Sequence, residues 1–148
     1  MSILSKDRIA LQQQAADKSD AIRKAGQLLV DSGCVLPAYV DGMLKREESM
    51  STSLGNGVSI PHGMDDNREH ILKTGISILQ LVDPVEWEED DEPVHIVIGI
   101  AASQDEHVGV LANLADVIED DDILAELIET TDPEVFVKYL GAEREEDL

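Results

Sequence analysis

Apolar positions recur along this chain with two distinct periods, and the switches between them mark the elements. Ile9 and Leu11 alternate weakly within Arg8–Gln12, which predicts a first strand. A helix follows whose apolar face reads Ile22, Ala25, Leu28 and Leu29, with Ser19 or Asp20 as its cap and Gly33 just past its end. Pro37 opens a second helix that turns Tyr39, Val40, Met43 and Leu44 inward and Lys45 to Glu48 outward, ending near Met50. Two apolar fragments then flank Gly55-Asn56-Gly57, whose left-handed turn propensity predicts that the backbone doubles back before Val58 to Ile60.

Gly75 to Val82 and Val94 to Ala101 are the best strands, and the second is nearly continuously apolar, as expected of a strand covered on both faces. Ser103-Gln104-Asp105-Glu106 matches a capping box, opening a helix with Val108, Leu111, Leu114, Ala115 and Ile118 on one side. Two shorter helices close the chain, one over Ile123 to Ile128 and one started by Asp132-Pro133 that buries Val135, Phe136 and Tyr139 or Leu140. Helices before, between and after strands predict a single α/β domain, with a central mixed β-sheet flanked by helices on both faces. Its core runs from about Ile9 to Leu140 and an acidic tail follows.

With 148 residues, 43% of them hydrophobic, the chain has the size of one ordinary domain. No stretch reaches the roughly 18 to 20 apolar residues needed to span a bilayer, and the amino end lacks a basic segment followed by an apolar one. A soluble, cytoplasmic protein without direct membrane insertion is expected. The formal charge of -21 excludes nucleic acid as a partner, since affinity for phosphate backbones comes from Lys and Arg. Such a surface suits high salt or the steering of basic protein partners. The acid gathers in Glu86 to Glu92, Glu119 to Asp122 and Glu143 to Asp147, predicted as solvated loops and an end. Cys34 has no second thiol to pair with and reads as a small buried residue near a helix end.

Chemistry centres on one histidine. His62 stands between Pro61 and Gly63, directly after an apolar strand-like run, so its ring is open to a bulky partner. A neutral imidazole is a good nucleophile near neutral pH, one nitrogen attacking while a hydrogen bond to the other fixes the tautomer. His107 falls in the first turn of the helix after the central strand, where the macrodipole disfavours imidazolium and the ring serves as a neutral donor to a phosphoryl oxygen. His95, inside an apolar strand, reads as packing, and His70 as a surface residue in a short turn. A capping or core role for His62, and a solvent-facing role for His107, remain the plainer alternatives. No His-Glu-x-x-His pair or cysteine cluster supports a metal, no Gly-x-Ser-x-Gly elbow supports a hydrolase, and Gly55-Asn56-Gly57 lacks the Gly-Lys-Ser/Thr of a nucleotide loop.

The stretch from Arg46 to Gly63, with Leu54-Gly55-Asn56-Gly57-Val58-Ser59-Ile60-Pro61-His62-Gly63, resembles the active-site region of the mannitol/fructose type of enzyme IIA of the bacterial phosphoenolpyruvate-dependent sugar phosphotransferase system. The stretch from Val97 to Leu114, with Asp105-Glu106-His107, is most similar to the mannitol branch. The resemblance implies that His62 accepts a phosphoryl group from phospho-HPr on Nε2 and passes it to a cysteine of a IIB domain attached to a membrane sugar permease. It also implies that His107 and Arg46 stabilise the phosphoryl group, with no cofactor and no metal. Arg46 brings a permanent positive charge with several donors; its plainer alternative is a helix ion pair with a following glutamate. Ser53 departs from the aromatic or glycine that related sequences often carry there. Neither a IIB domain nor a membrane IIC domain lies in these residues, so the transporter is expected on a separate chain, or this is a piece of a larger one. A phosphocarrier for mannitol or a related sugar is the leading expectation. A regulatory, nitrogen-type IIA switched by phosphorylation of His62 is the second, and a non-catalytic binding domain the third.

Overall fold

Two adjacent antiparallel strands carry the fold: β3 (Gly75–Val85) and β4 (Val94–Ala101). The computed structural model describes residues 4, 6–54, 56–63, 69–87, 92–102, 112 and 114–141. Outside the central pair, β1 (Ile9–Gln13) joins β3 in parallel and β2 (Val58–Ser59) joins β4 in parallel, giving the order β1-β3-β4-β2. The sheet is therefore mixed, as predicted.

Side chains alternate across a strand, and the two faces of this sheet have different owners. Leu79, Leu81, Val97 and Ala101 pack with Ala21, Ile22, Ala25, Leu29, Tyr39 and Met43 from α1 (Lys18–Asp31) and α2 (Ala38–Ser49). Ile76, Ile78, Ile96, Ile98 and Ile100 face the other way. They meet Leu114, Val117 and Ile118 of a helical stretch α3 (114–118), Leu124 and Leu127 of α4 (Asp121–Glu129), and Phe136 of α5 (Pro133–Phe136). Leu140, in the π-helical turn Val137–Gly141, completes that layer. Helices thus cover both faces. Among the described residues no helix is long and apolar enough to cross a membrane.

Buried polar groups pin the layers to each other. Ser77 donates to the Ala25 carbonyl at 2.8 Å, holding α1 on one face. On the other, the Gln80 amide donates to the carbonyls of Leu127 and Thr130, while its oxygen accepts the Gln12 amide where β1 bulges. Gln12 sits at φ +53°, so the bulge holds a non-glycine residue in left-handed backbone that the Gln80 bond helps to compensate.

Several expectations need correction. Asp17, not Ser19 or Asp20, caps α1: its carboxylate accepts the Asp20 amide at 2.9 Å, and Asp20 reaches back to the Ala16 amide at 2.9 Å. The pair satisfies two orphan donors reciprocally, so the outermost acid wins the cap. At the other end the expectation holds, Gly33 taking φ +81° with the Cys34 amide bonded to the Leu29 carbonyl. β3 runs on to Val85 through Pro84, but its pairing with β4 is irregular between Gln80 and Val85, as a residue with no N–H requires. Ala115, expected inward, is exposed. Glu47, expected outward, is buried at 6%. The Ser103 capping box, His107 and the acidic tail lie outside the described residues.

Candidate functional site

From Thr52 to Ile60 the chain doubles back as the Asn-Gly pattern predicts. The Leu54 amide donates to the Val58 carbonyl at 2.8 Å and the Ile60 amide to the Thr52 carbonyl at 3.0 Å. Gly57 takes φ +90°, a conformation costly for any residue with a Cβ. Its carbonyl accepts the amides of His95 and Ile96, so the turn is anchored to the start of β4.

Past β2 the return strand keeps company with β4. The Pro61 carbonyl accepts the Ile100 amide at 3.0 Å, and His62 forms a parallel bridge with Ile100. His62 is half-buried, and its Nδ1 lies 2.8 Å from the Ile60 carbonyl. A carbonyl oxygen only accepts, so Nδ1 carries the proton and the neutral ring keeps its lone pair on Nε2. The next amide, that of Gly63, donates to the Tyr39 hydroxyl at 2.9 Å, and that hydroxyl donates to the Ile100 carbonyl at 2.8 Å. Burial pushes the Tyr39 phenol above its ordinary pKa, against the smaller opposing effect of the Gly63 bond.

Arg46 sits in the last turn of α2, where a cation complements the helix dipole. Its Nη1 donates to the Met50 carbonyl at 2.6 Å. Arg46 thus stands before, and His62 after, the doubled-back segment from Thr52 to Ile60. Beside Arg46, the buried Glu47 carboxylate accepts the Thr52 amide at 3.1 and 3.2 Å, the Thr52 hydroxyl, and the Trp87 indole N–H at 3.0 Å. Lys18 Nζ stands 3.8 Å from it. Three neutral donors and a nearby cation offset the desolvation of a carboxylate that helix periodicity alone would place in water.

Of the three residues singled out from the sequence, the structure puts His62 on the sheet edge and Arg46 at the end of α2, while His107 lies outside the described residues. Ala102 ends the described part of the chain that leads to it. His95 is half-buried within β4, with its ring near Gly57, and His70 is half-buried in the short turn at 69–70. Among the described residues no group of three or more His, Cys, Asp or Glu side chains is gathered for a metal ion. Sequence reasoning missed Tyr39 and Glu47 as parts of the site's frame. A tyrosine on the inward face of a helix is a signal for the first, because a buried phenol needs a partner.

Residues 2–142 match the family model described as "Phosphoenolpyruvate-dependent sugar phosphotransferase system, EIIA 2". The chain is 38% identical over 140 residues to the mannitol-specific phosphotransferase enzyme IIA component of Halalkalibacterium halodurans, covering 95% of each. It is 43% identical over 137 residues to a multiphosphoryl transfer protein of Escherichia coli O157:H7; that match takes in 92% of this chain and only 36% of the longer relative. Among solved structures it superposes with a TM-score of 0.87, at 37% identity over 93% of this chain and 96% of the other, on a chain of the Escherichia coli complex of enzyme IIAMTL and phosphorylated enzyme IIBMTL.

Proposed function

Because the chain belongs to the EIIA 2 family of the phosphoenolpyruvate-dependent sugar phosphotransferase system, we propose that it is a mannitol-type phosphocarrier that works on His62. In this reading the Nε2 lone pair of His62 attacks the phosphorus of phospho-HPr, the donor's P–N bond breaks, and its electron pair returns to the donor imidazole. A cysteine thiolate of a IIB domain then attacks the same phosphorus, and the His62 nitrogen leaves with its electron pair. No proton need move on Nδ1, which stays bonded to the Ile60 carbonyl throughout. That bond is the observation that carries the proposal, since it leaves Nε2 as the nucleophilic nitrogen.

Phosphoryl transfer asks for in-line placement and for charge to balance the equatorial oxygens. Arg46 supplies a permanent cation from the neighbouring helix end, and His107 a neutral donor from the segment after β4. Met50, 67% exposed at the end of α2, and Leu54, 45% exposed on the doubled-back segment, offer apolar surface for a transient partner. Relay encounters of this kind bury modest area and dissociate fast. The similarity to mannitol-specific enzyme IIA, and to a IIA solved with its phosphorylated IIB, favours transport over the regulatory alternative.

Incubation with phosphoenolpyruvate, enzyme I and HPr is expected to place an acid-labile phosphoryl group on the protein, and His62→Ala to abolish it. Equal labelling of that variant would sink the assignment. Addition of a mannitol-type IIB is expected to drain the label, and retention of the label with every sugar-specific IIB would refute the transport role.

A further inference from the structure

The phenol of Tyr39 has no part in the chemistry above, yet its position is hard to account for by packing alone. The residue is 3% exposed on the inward face of α2, where a phenylalanine would fill the same space without a hydroxyl to desolvate. The hydroxyl has one proton and two lone pairs, and both capacities are used: it donates to Ile100 and accepts from Gly63. Ile100 is also the β4 residue that bridges His62 and whose amide donates to Pro61. The peptide units before and after His62 are thus tied to one strand residue, directly through the Pro61 carbonyl and, by way of Tyr39, through the Gly63 amide.

Resting on the phosphocarrier reading of His62, we propose that Tyr39 is a positioning residue: its hydroxyl locks the backbone after His62 to β4, so that the Nδ1 bond to Ile60 forms and Nε2 points at the incoming phosphorus. With the Pro61 side of the histidine already held by Ile100, release of the Gly63 side frees the ring to tilt and to exchange tautomers. A misplacement of about 1 Å in such a site costs on the order of 10²-fold in rate, so a partial loosening is enough to be read kinetically.

Tyr39→Phe keeps the ring and removes both bonds. The maximal rate of phosphoryl transfer from phospho-HPr is expected to fall about 10-fold while the phospho-HPr concentration at half-saturation stays put, the pattern of lost transition-state geometry. Imidazole ¹⁵N resonances, which need no phosphoryl donor, are expected to show His62 passing from one tautomer to a mixture. Wild-type transfer kinetics together with unmoved His62 resonances in Tyr39→Phe would overturn the proposal. If the wild-type protein takes no label at all, it is the phosphocarrier reading that fails, and the ¹⁵N measurement alone still decides whether Tyr39 sets the ring. Should Tyr39→Phe not fold, 3-fluorotyrosine in a Tyr139→Phe background substitutes Tyr39 alone, since the chain has two tyrosines. The more acidic phenol donates better and accepts worse, so the Gly63 amide and the His62 ring resonances are expected to shift. Unmoved His62 resonances would again count against the proposal.

Discussion

The indole of Trp87 donates to the Glu47 carboxylate at 3.0 Å, joining the head of an acidic run to the residue that follows Arg46. Trp87 is the only tryptophan of the chain and is 4% exposed, so its emission reports on this buried network. Glu47→Gln turns one acceptor into a donor that faces another donor, which is expected to cost about 1–3 kcal/mol. Glu47→Ala strands all the donors and opens a void, with a loss of roughly 3–5 kcal/mol. Urea unfolding followed by Trp87 emission measures both, and a Glu47→Ala protein as stable as wild type would show that the network contributes nothing.

Tyr39 makes stability depend on alkaline pH. Burial holds its folded pKa above the ordinary value near 10, so the folded state keeps a proton that the unfolded chain sheds first. The stabilisation is complete below about pH 10 and is lost as pH climbs from there through the folded value. Denaturant titrations of wild type and Tyr39→Phe between roughly pH 9 and 12 are expected to show the wild-type margin shrinking with pH. A margin that stays level would contradict this.

Arg46→Ala is expected to slow phosphoryl transfer by about 10²-fold, the scale seen when one charge-stabilising donor is removed. Its side chain is half-exposed and bonds one solvent-side carbonyl, so unfolding free energy should change by less than about 1 kcal/mol. Arg46→Lys should recover only part of the rate, because an ammonium lacks the planar fork of donors. His107→Ala is expected to slow transfer in the same assay, and an unchanged rate in either alanine variant removes that residue from the mechanism.

Gly99 faces α1 where the helix packs close on the sheet. A Cβ there would stand 2.6 Å from Ser77 Oγ, 3.3 Å from Leu29 Cδ1 and 3.4 Å from the Ala25 carbonyl. Gly99→Ala should destabilise by about 1–3 kcal/mol. The nearest clash is with a hydroxyl, so Gly99→Ala in a Ser77→Ala background should cost less than in wild type. A double-mutant cycle with no coupling between the two sites would place the strain elsewhere.

A formal charge of -21 repels itself in the folded state more than in the expanded one. Screening shortens from a Debye length of about 30 Å at 0.01 M salt to about 3 Å at 1 M. The melting temperature is therefore expected to rise with sodium chloride across that range, and calorimetry showing a flat or falling trend would refute the argument.

Where local chemistry decides, the sequence was legible. The nearly continuous apolar run Val94–Ala101 is β4 to the residue, the Ile22, Ala25 and Leu29 stripe is the buried face of α1, and Gly33 ends that helix in left-handed backbone. Gly57 turns the chain where an Asn-Gly pair should turn it, and His62 follows directly on the strand-like run Val58 to Ile60. Distant pairings were not legible. Glu47 looks solvated until Thr52 and Trp87 are brought to it, and nothing near Tyr39 in the chain announces Ile100 or Gly63. The cap of α1 failed for another reason: Asp17, Ser19 and Asp20 are all competent caps, and the choice rests on a reciprocal bond to Ala16. The same applies to the strand order, which depends on which edge each outer strand finds.

The Pro61 carbonyl is a rung of the ladder to β4, the strand paired on both of its sides. Swinging the histidine out would break pairing at Ile100, which is fully buried, so such an excursion belongs with the rarest openings of the molecule and not with the fraying of a surface loop. Amide exchange at Ile100 should accordingly be slow. Whatever docks against His62 meets a backbone already set, and loses none of its binding free energy to ordering it.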